Sequence, residues 1–149
     1  MTKTILVCDE DASVRRMVAR VLETAGHVAV LAGSGVEALT AVREMSPDLL
    51  LLDLKTPQPE GWALVEQVQK NHPVLPIILI TGWPNLSAQA AQRGISCLME
   101  KPLDLPLLLD QIQELVTKSP RPCRQQRSAE SSAEQVFAAG LSIAAAARR

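Results

Sequence analysis

The chain has 149 residues, 47% hydrophobic and 21% charged, which fits one globular domain with its own core and excludes wholesale disorder. No uncharged apolar stretch approaches the ~20 residues of a membrane span, and charges spread over the first 25 residues argue against a secretory leader, so a cytoplasmic protein is expected. The net charge of −1 conceals an asymmetry, −5 over residues 1–117 and +4 over residues 118–149.

Residues 4–8 form a short apolar run that stops at Asp9-Glu10-Asp11, which predicts a buried strand ending in a carboxylate cluster. Val14, Met17, Val18, Val21 and Leu22 recur at helical spacing, so a first helix is expected from Ala12, with Asp11 as its cap and Gly26 as its stop. His27–Leu31 reads as a second strand and Val36–Met45 as a second helix, broken by Ser46-Pro47. Asp48–Leu54 is apolar at consecutive positions, as in a central strand covered on both faces. Two prolines and a glycine make Lys55–Gly61 a loop. Trp62–Asn71 follows as a helix, Pro76–Ile80 as a strand, Asn85–Arg93 as a weak helix and Ser96–Met99 as a short strand closed by Glu100-Lys101-Pro102. Asp104 can cap a last helix that bears Leu105, Leu108, Leu109, Ile112, Leu115 and Val116.

Strand and helix thus alternate five times, which predicts an α/β fold with a parallel sheet and helices on both faces. Residues 1–118 form this unit, while 119–132 read as a polar linker and 133–149 as an alanine-rich marginal helix. The three cysteines, Cys8, Cys97 and Cys123, fit no metal or disulfide spacing, and the first two sit in apolar runs as expected of buried thiols. With Trp62, Trp83 and Phe137 as the only aromatics, a stacking platform for nucleic-acid bases is not expected.

In sheets of this kind ligands bind beyond the carboxyl ends of the strands. Asp9 and Glu10, Asp53, Thr81 and Lys101 each follow an apolar strand, so the topology gathers them at one edge. Crowded carboxylates require a positive partner, and an oxygen-only donor set without His or Cys points to a hard cation, Mg2+. Lys101 adds a fixed positive charge, Thr81 a hydroxyl donor, and Gly82 leaves room beside it. Asp53, on the most apolar strand, is the candidate nucleophile toward phosphorus. Each residue alone has an ordinary explanation: a helix cap for an Asp after a strand, a turn for Thr81, a solvated charge for Lys101. Their coincidence at four strand ends carries the functional reading.

Residues 3–117 resemble the receiver domain of bacterial two-component response regulators. The resemblance rests on Ile5-Leu6-Val7-Cys8-Asp9-Glu10-Asp11, Leu51-Leu52-Asp53-Leu54-Lys55-Thr56-Pro57 with Gly61, Ile80-Thr81-Gly82, and Glu100-Lys101-Pro102-Leu103-Asp104. It implies a flavodoxin-like, doubly wound five-stranded parallel sheet in the order 2-1-3-4-5. It also implies phosphorylation of Asp53 by a sensor histidine kinase or a histidine phosphotransfer protein. Glu10 and Asp53 would ligate Mg2+ with the backbone carbonyl of Lys55, Asp9 would act mainly through water, and the Lys101–Pro102 bond would be cis. Three positions depart from the family pattern. Leu98 stands where a switching aromatic is usual, Thr56 where Met is common, and Trp83, two beyond Thr81, either shields an acyl phosphate from water or packs the loop.

Only 32 residues follow Thr117, too few for an independent DNA-binding domain, so direct DNA contact is not expected and output through an unidentified protein partner is. A stand-alone regulator is the first expectation and a receiver excised from a hybrid kinase the second. A rival reading takes Asp9-Glu10-Asp11-Ala12-Ser13 as the nucleophile motif of a haloacid-dehalogenase-type phosphatase. That family needs an acidic pair after a further strand, which is missing, and it leaves Asp53 unexplained. A degenerate receiver that serves only as a docking module is the third reading.

Overall fold

The computed structural model describes residues 2–55 and 59–117. The expectations for the linker and tail, for Cys123, and for Thr56 and Pro57 lie outside the described residues. The elements are β1 (Thr4–Cys8), α1 (Ala12–Thr24), β2 (Val28–Ala32), α2 (Gly35–Met45), β3 (Leu49–Leu54), α3 (Pro59–Asn71), β4 (Ile77–Thr81), α4 (Ser87–Gln92), β5 (Cys97–Glu100) and α5 (Leu105–Thr117). All strand pairs are parallel and the sheet runs β2-β1-β3-β4-β5.

Alternation along the strands explains why both faces are covered. Leu50, Leu52 and Leu54 of β3 pack with Val42 of α2, Trp62, Val65 and Val68 of α3, and Ala90 of α4. Leu49 and Leu51 point the other way, against Val18 and Leu22 of α1 and Leu108 and Ile112 of α5. Leu98 is buried on the α2–α4 side. At the sheet edge, β2 leaves Val28 and Leu31 exposed.

Helices α1, α2 and α5 begin where side chains can take up orphan amide groups. Asp11 Oδ1 accepts from the Ser13 and Val14 amides at 2.8 and 3.4 Å, and Asp104 Oδ1 accepts from Leu107 at 3.1 Å. Ser34 Oγ caps α2 through the Glu37 amide at 3.2 Å. Gly26 takes a φ of +93°, open to a residue without a Cβ, and ends the connection from α1 to β2.

Boundaries differ from expectation by small, explicable steps. The β2 strand starts at Val28 because the His27 amide donates to Leu22 and closes the preceding helix. Proline has no amide hydrogen, so β4 starts after Pro76. The loop expected over 55–61 ends sooner, since α3 begins at Pro59: proline suits a first helical turn, where its missing donor has no intrahelical partner to lose. The weak helix is shorter than read, six residues with no side-chain cap. It is tied to α3 at its far end, where Arg93 pairs with Glu66, lies 4.5 Å above the Trp62 ring, and accepts from Gln69 Nε2 on its carbonyl at 2.7 Å.

Candidate functional site

The parallel register sets the site. Asp53 is opposite Ile80, Leu54 opposite Thr81, and Thr81 opposite Glu100. The Lys101 amide donates to the Thr81 carbonyl at 2.8 Å, which carries the chain from β5 past the end of β4. The Lys101–Pro102 peptide bond is cis, as the resemblance implied.

Asp53 is the centre of the charge arrangement. Its side chain is only 2% exposed, yet Oδ2 meets the Lys101 ammonium at 3.1 Å and the Lys55 ammonium at 2.7 Å. Burial alone would push its carboxyl upward, but the hydrogen bonds and charges of the two lysines outweigh this and hold it below the usual aspartate range. The Lys55 ammonium is held protonated above its ordinary range, chiefly by its bond to Asp53. Lys55 also reaches Asp9 Oδ1 at 3.5 Å.

Asp9 is fixed from behind. Its Oδ1 accepts from the Asp11 amide at 2.8 Å, and Arg15 Nη1 donates to its backbone carbonyl at 2.5 Å. Gly33 gives that guanidinium passage, because a Cβ there would stand 3.0 Å from Nη1. Glu10 is exposed. With the side chains as they stand, no group of three or more His, Cys, Asp or Glu among the described residues is placed to hold a metal ion. The positive partner that crowding demands is present as the Lys55 ammonium.

Thr81 is fully buried, and its Oγ1 accepts from the Trp83 amide at 3.0 Å. That bond uses an oxygen lone pair and not the hydroxyl hydrogen. A Cβ on Gly82 would meet nothing within 4 Å, so the space beside Thr81 is open. Trp83 is half exposed and its indole Nε1 donates to the Lys55 carbonyl at 2.7 Å, bridging the loops after β3 and β4.

The residues fit a divalent cation by donor chemistry. Asp9 and Asp53 already converge on one positive charge, and both offer hard oxygen ligands. The Lys55 carbonyl, engaged once by Trp83, keeps a second lone pair.

Two neighbours feel the same field. Burial, then the charges of Asp9, Asp53 and Glu10, push the Cys8 thiol up to about 11 and keep it protonated. Cys8 and Cys97 are buried free thiols, as expected. Burial also raises the Glu100 carboxyl, partly offset by a hydrogen bond from the Asn85 backbone. A carboxyl raised in the folded state favours folding below its unfolded pKa, and that advantage is lost as pH rises through the folded value. Glu100→Gln removes the half-buried charge and keeps an acceptor. It is expected to raise the midpoint of thermal unfolding at neutral pH, with the gain over wild type closing on acidification below the ordinary glutamate range. A gain that is the same at both pH values would contradict this.

Sequence reasoning overlooked two contributors. Lys55 entered only through its carbonyl, although residues two apart on an extended strand share a side, which puts its ammonium beside Asp53. Arg15 had no place among the candidate residues, and its contact with the Asp9 carbonyl depends on how the helix is set on the sheet.

The profile of the response regulator receiver domain family matches residues 5–113. DNA-binding transcriptional regulator NtrC of Escherichia coli (strain K12) is 36% identical over 103 residues, covering 68% of this chain and 22% of the relative. Response regulator MprA of Mycobacterium ulcerans is 32% identical over 121 residues, 80% of this chain and 52% of the relative. The chain thus spans between about a fifth and about half of the length of these relatives. The crystal structure of the receiver domain of NtrX from Brucella abortus superposes with a TM-score of 0.70 at 31% identity, over 77% of this chain and 99% of that one.

Proposed function

The chain belongs to the response regulator receiver domain family of two-component signalling, and from that membership we propose that Asp53 accepts a phosphoryl group from a phosphohistidine. The donor is a sensor histidine kinase or a histidine phosphotransfer protein. The observation that carries this reading is the buried Asp53 carboxylate, clasped by Lys101 at 3.1 Å and Lys55 at 2.7 Å.

In the transfer, an Asp53 carboxylate oxygen attacks phosphorus and forms the O–P bond of an acyl phosphate. The P–N bond to the donor imidazole breaks, and its electron pair stays on the nitrogen, which takes up a proton. The lowered pKa of Asp53 keeps the nucleophile ionised at neutral pH. Lys101 lies against the phosphoryl oxygens and balances their charge, while the Thr81 hydroxyl donates to one of them. Asp9 and Asp53, with Glu10 and the Lys55 carbonyl, would hold Mg2+, which when bound supplies further neutralisation of the phosphoryl oxygens. The signal leaves by protein contact. In place of an inward-turning aromatic, the buried Leu98 and the Thr81 loop are the parts that respond. No helix among the described residues is long and apolar enough to cross a membrane.

Incubation of the full chain with acetyl phosphate and Mg2+ tests this. The expected result is a mass gain of one phosphoryl group, mapped to the peptide containing Asp53 and absent when EDTA is added. No gain would leave the docking-module reading, and turnover of a phosphate ester that depends on Asp9 would favour the phosphatase reading.

A further inference from the structure

We propose that Lys55 is an internal counter-cation that competes with the divalent metal for Asp9 and Asp53, so that the metal site opens only when the Lys55 ammonium leaves these two carboxylates. The inference rests on the functional reading above and adds to it a residue that sets metal affinity.

Three observations carry it. First, the Lys55 ammonium lies 2.7 Å from Asp53 Oδ2 and 3.5 Å from Asp9 Oδ1, so it occupies oxygens of two carboxylates that the metal would use, Asp53 directly and Asp9 through water. Second, the charges already balance. Within the ion pairs, Asp9 and Asp53 face the ammonium groups of Lys55 and Lys101, two against two, with Glu10 outside them, and a divalent ion added to this set would meet the Lys55 ammonium at close range. Third, the two lysines and the two carboxylates differ in freedom. The side chains of Asp9 and Asp53 are 5% and 2% exposed, whereas that of Lys55 is 44% exposed on a flexible stem. Lys55 is thus the group that can withdraw into water without stripping solvent from a charge.

Lys101 is not equivalent. It reaches Asp53 but has no contact with Asp9, so it neutralises the nucleophile without occupying the space between the carboxylates. The backbone of Lys55 is tied separately, through its carbonyl, to the Trp83 indole at 2.7 Å. Side-chain withdrawal therefore happens next to one of only two tryptophans in the chain, which gives an optical signal.

The test is a calorimetric titration of the full chain with MgCl2, with tryptophan fluorescence followed in parallel and far-UV circular dichroism used to verify folding. Loss of one charge-assisted ion pair predicts that Lys55→Met binds Mg2+ about 10- to 100-fold more tightly than wild type. Lys55→Arg, which keeps a cation at the same place, retains weak binding. Equal affinity in wild type and Lys55→Met, or weaker affinity in the variant, overturns the competition while leaving the phosphoacceptor reading intact. Absence of Mg2+ binding to either protein overturns both. Should Lys55→Met fold poorly, Lys55→Gln gives the same comparison with a polar neutral side chain.

Discussion

Asp53→Asn is expected to take up no phosphoryl group from acetyl phosphate, and Lys101→Met to take it up about 10²- to 10³-fold more slowly than wild type, the usual cost of removing one preorganised donor to a charged transition state. The two variants fail for different reasons. Asparagine has no carboxylate lone pair to form the O–P bond. Methionine leaves the nucleophile in place but removes the ammonium 3.1 Å from Oδ2, so charge gathering on the phosphoryl oxygens loses a partner that needs no reorganisation. Methionine also approximates the length of the lysine stem, which limits loss of packing. The measurement is the rate of appearance of the phosphorylated mass at fixed Mg2+ and acetyl phosphate. Uptake by Asp53→Asn at the wild-type rate would remove Asp53 from the chemistry, and a wild-type rate in Lys101→Met would reduce that lysine to a surface charge.

The second large effect concerns the central strand. Leu50→Ala is expected to lower unfolding free energy by about 2–5 kcal/mol, the range for a large buried aliphatic cut to alanine. Leu50 is fully buried, is flanked in register by Leu6 and Ile77, and belongs to the cluster filled by α2, α3 and α4. Neighbouring strands cannot close on the void without breaking the ladder that also sets the position of Asp53. Val36→Ala on the exposed side of α2, at 76% exposure, is the internal comparison and should change stability by no more than about 0.5 kcal/mol. Urea unfolding of the two variants measures the difference, and similar midpoints would refute this account of the core.

The architecture was legible because its signals are local and repeated. Uninterrupted apolar runs at β3 and β4, polar stops after them, and helical spacing between them together imply a parallel sheet and an active edge. That edge brings Asp53 and Lys101 together across 48 residues. Hidden features are those decided by three-dimensional competition. Whether a loop lysine presents its ammonium or only its carbonyl depends on which cation the carboxylates hold, and residue order does not contain that balance. The α3 start was misplaced because proline and glycine signal a loop and a helix start equally well. The exposed Glu10, immediately before the helix-capping Asp11, shows that a run of acidic residues can divide into separate tasks.

The lashing of Arg93 to α3 bears on how this molecule would come apart. A six-residue helix without a capping side chain, with Ala90 as its one buried residue, has almost no cohesion of its own. Its order is lent by Glu66, Trp62 and Gln69 on the adjacent helix. Local melting should therefore begin at α4, in the segment that joins the Thr81 loop to β5, while the sheet beneath stays whole.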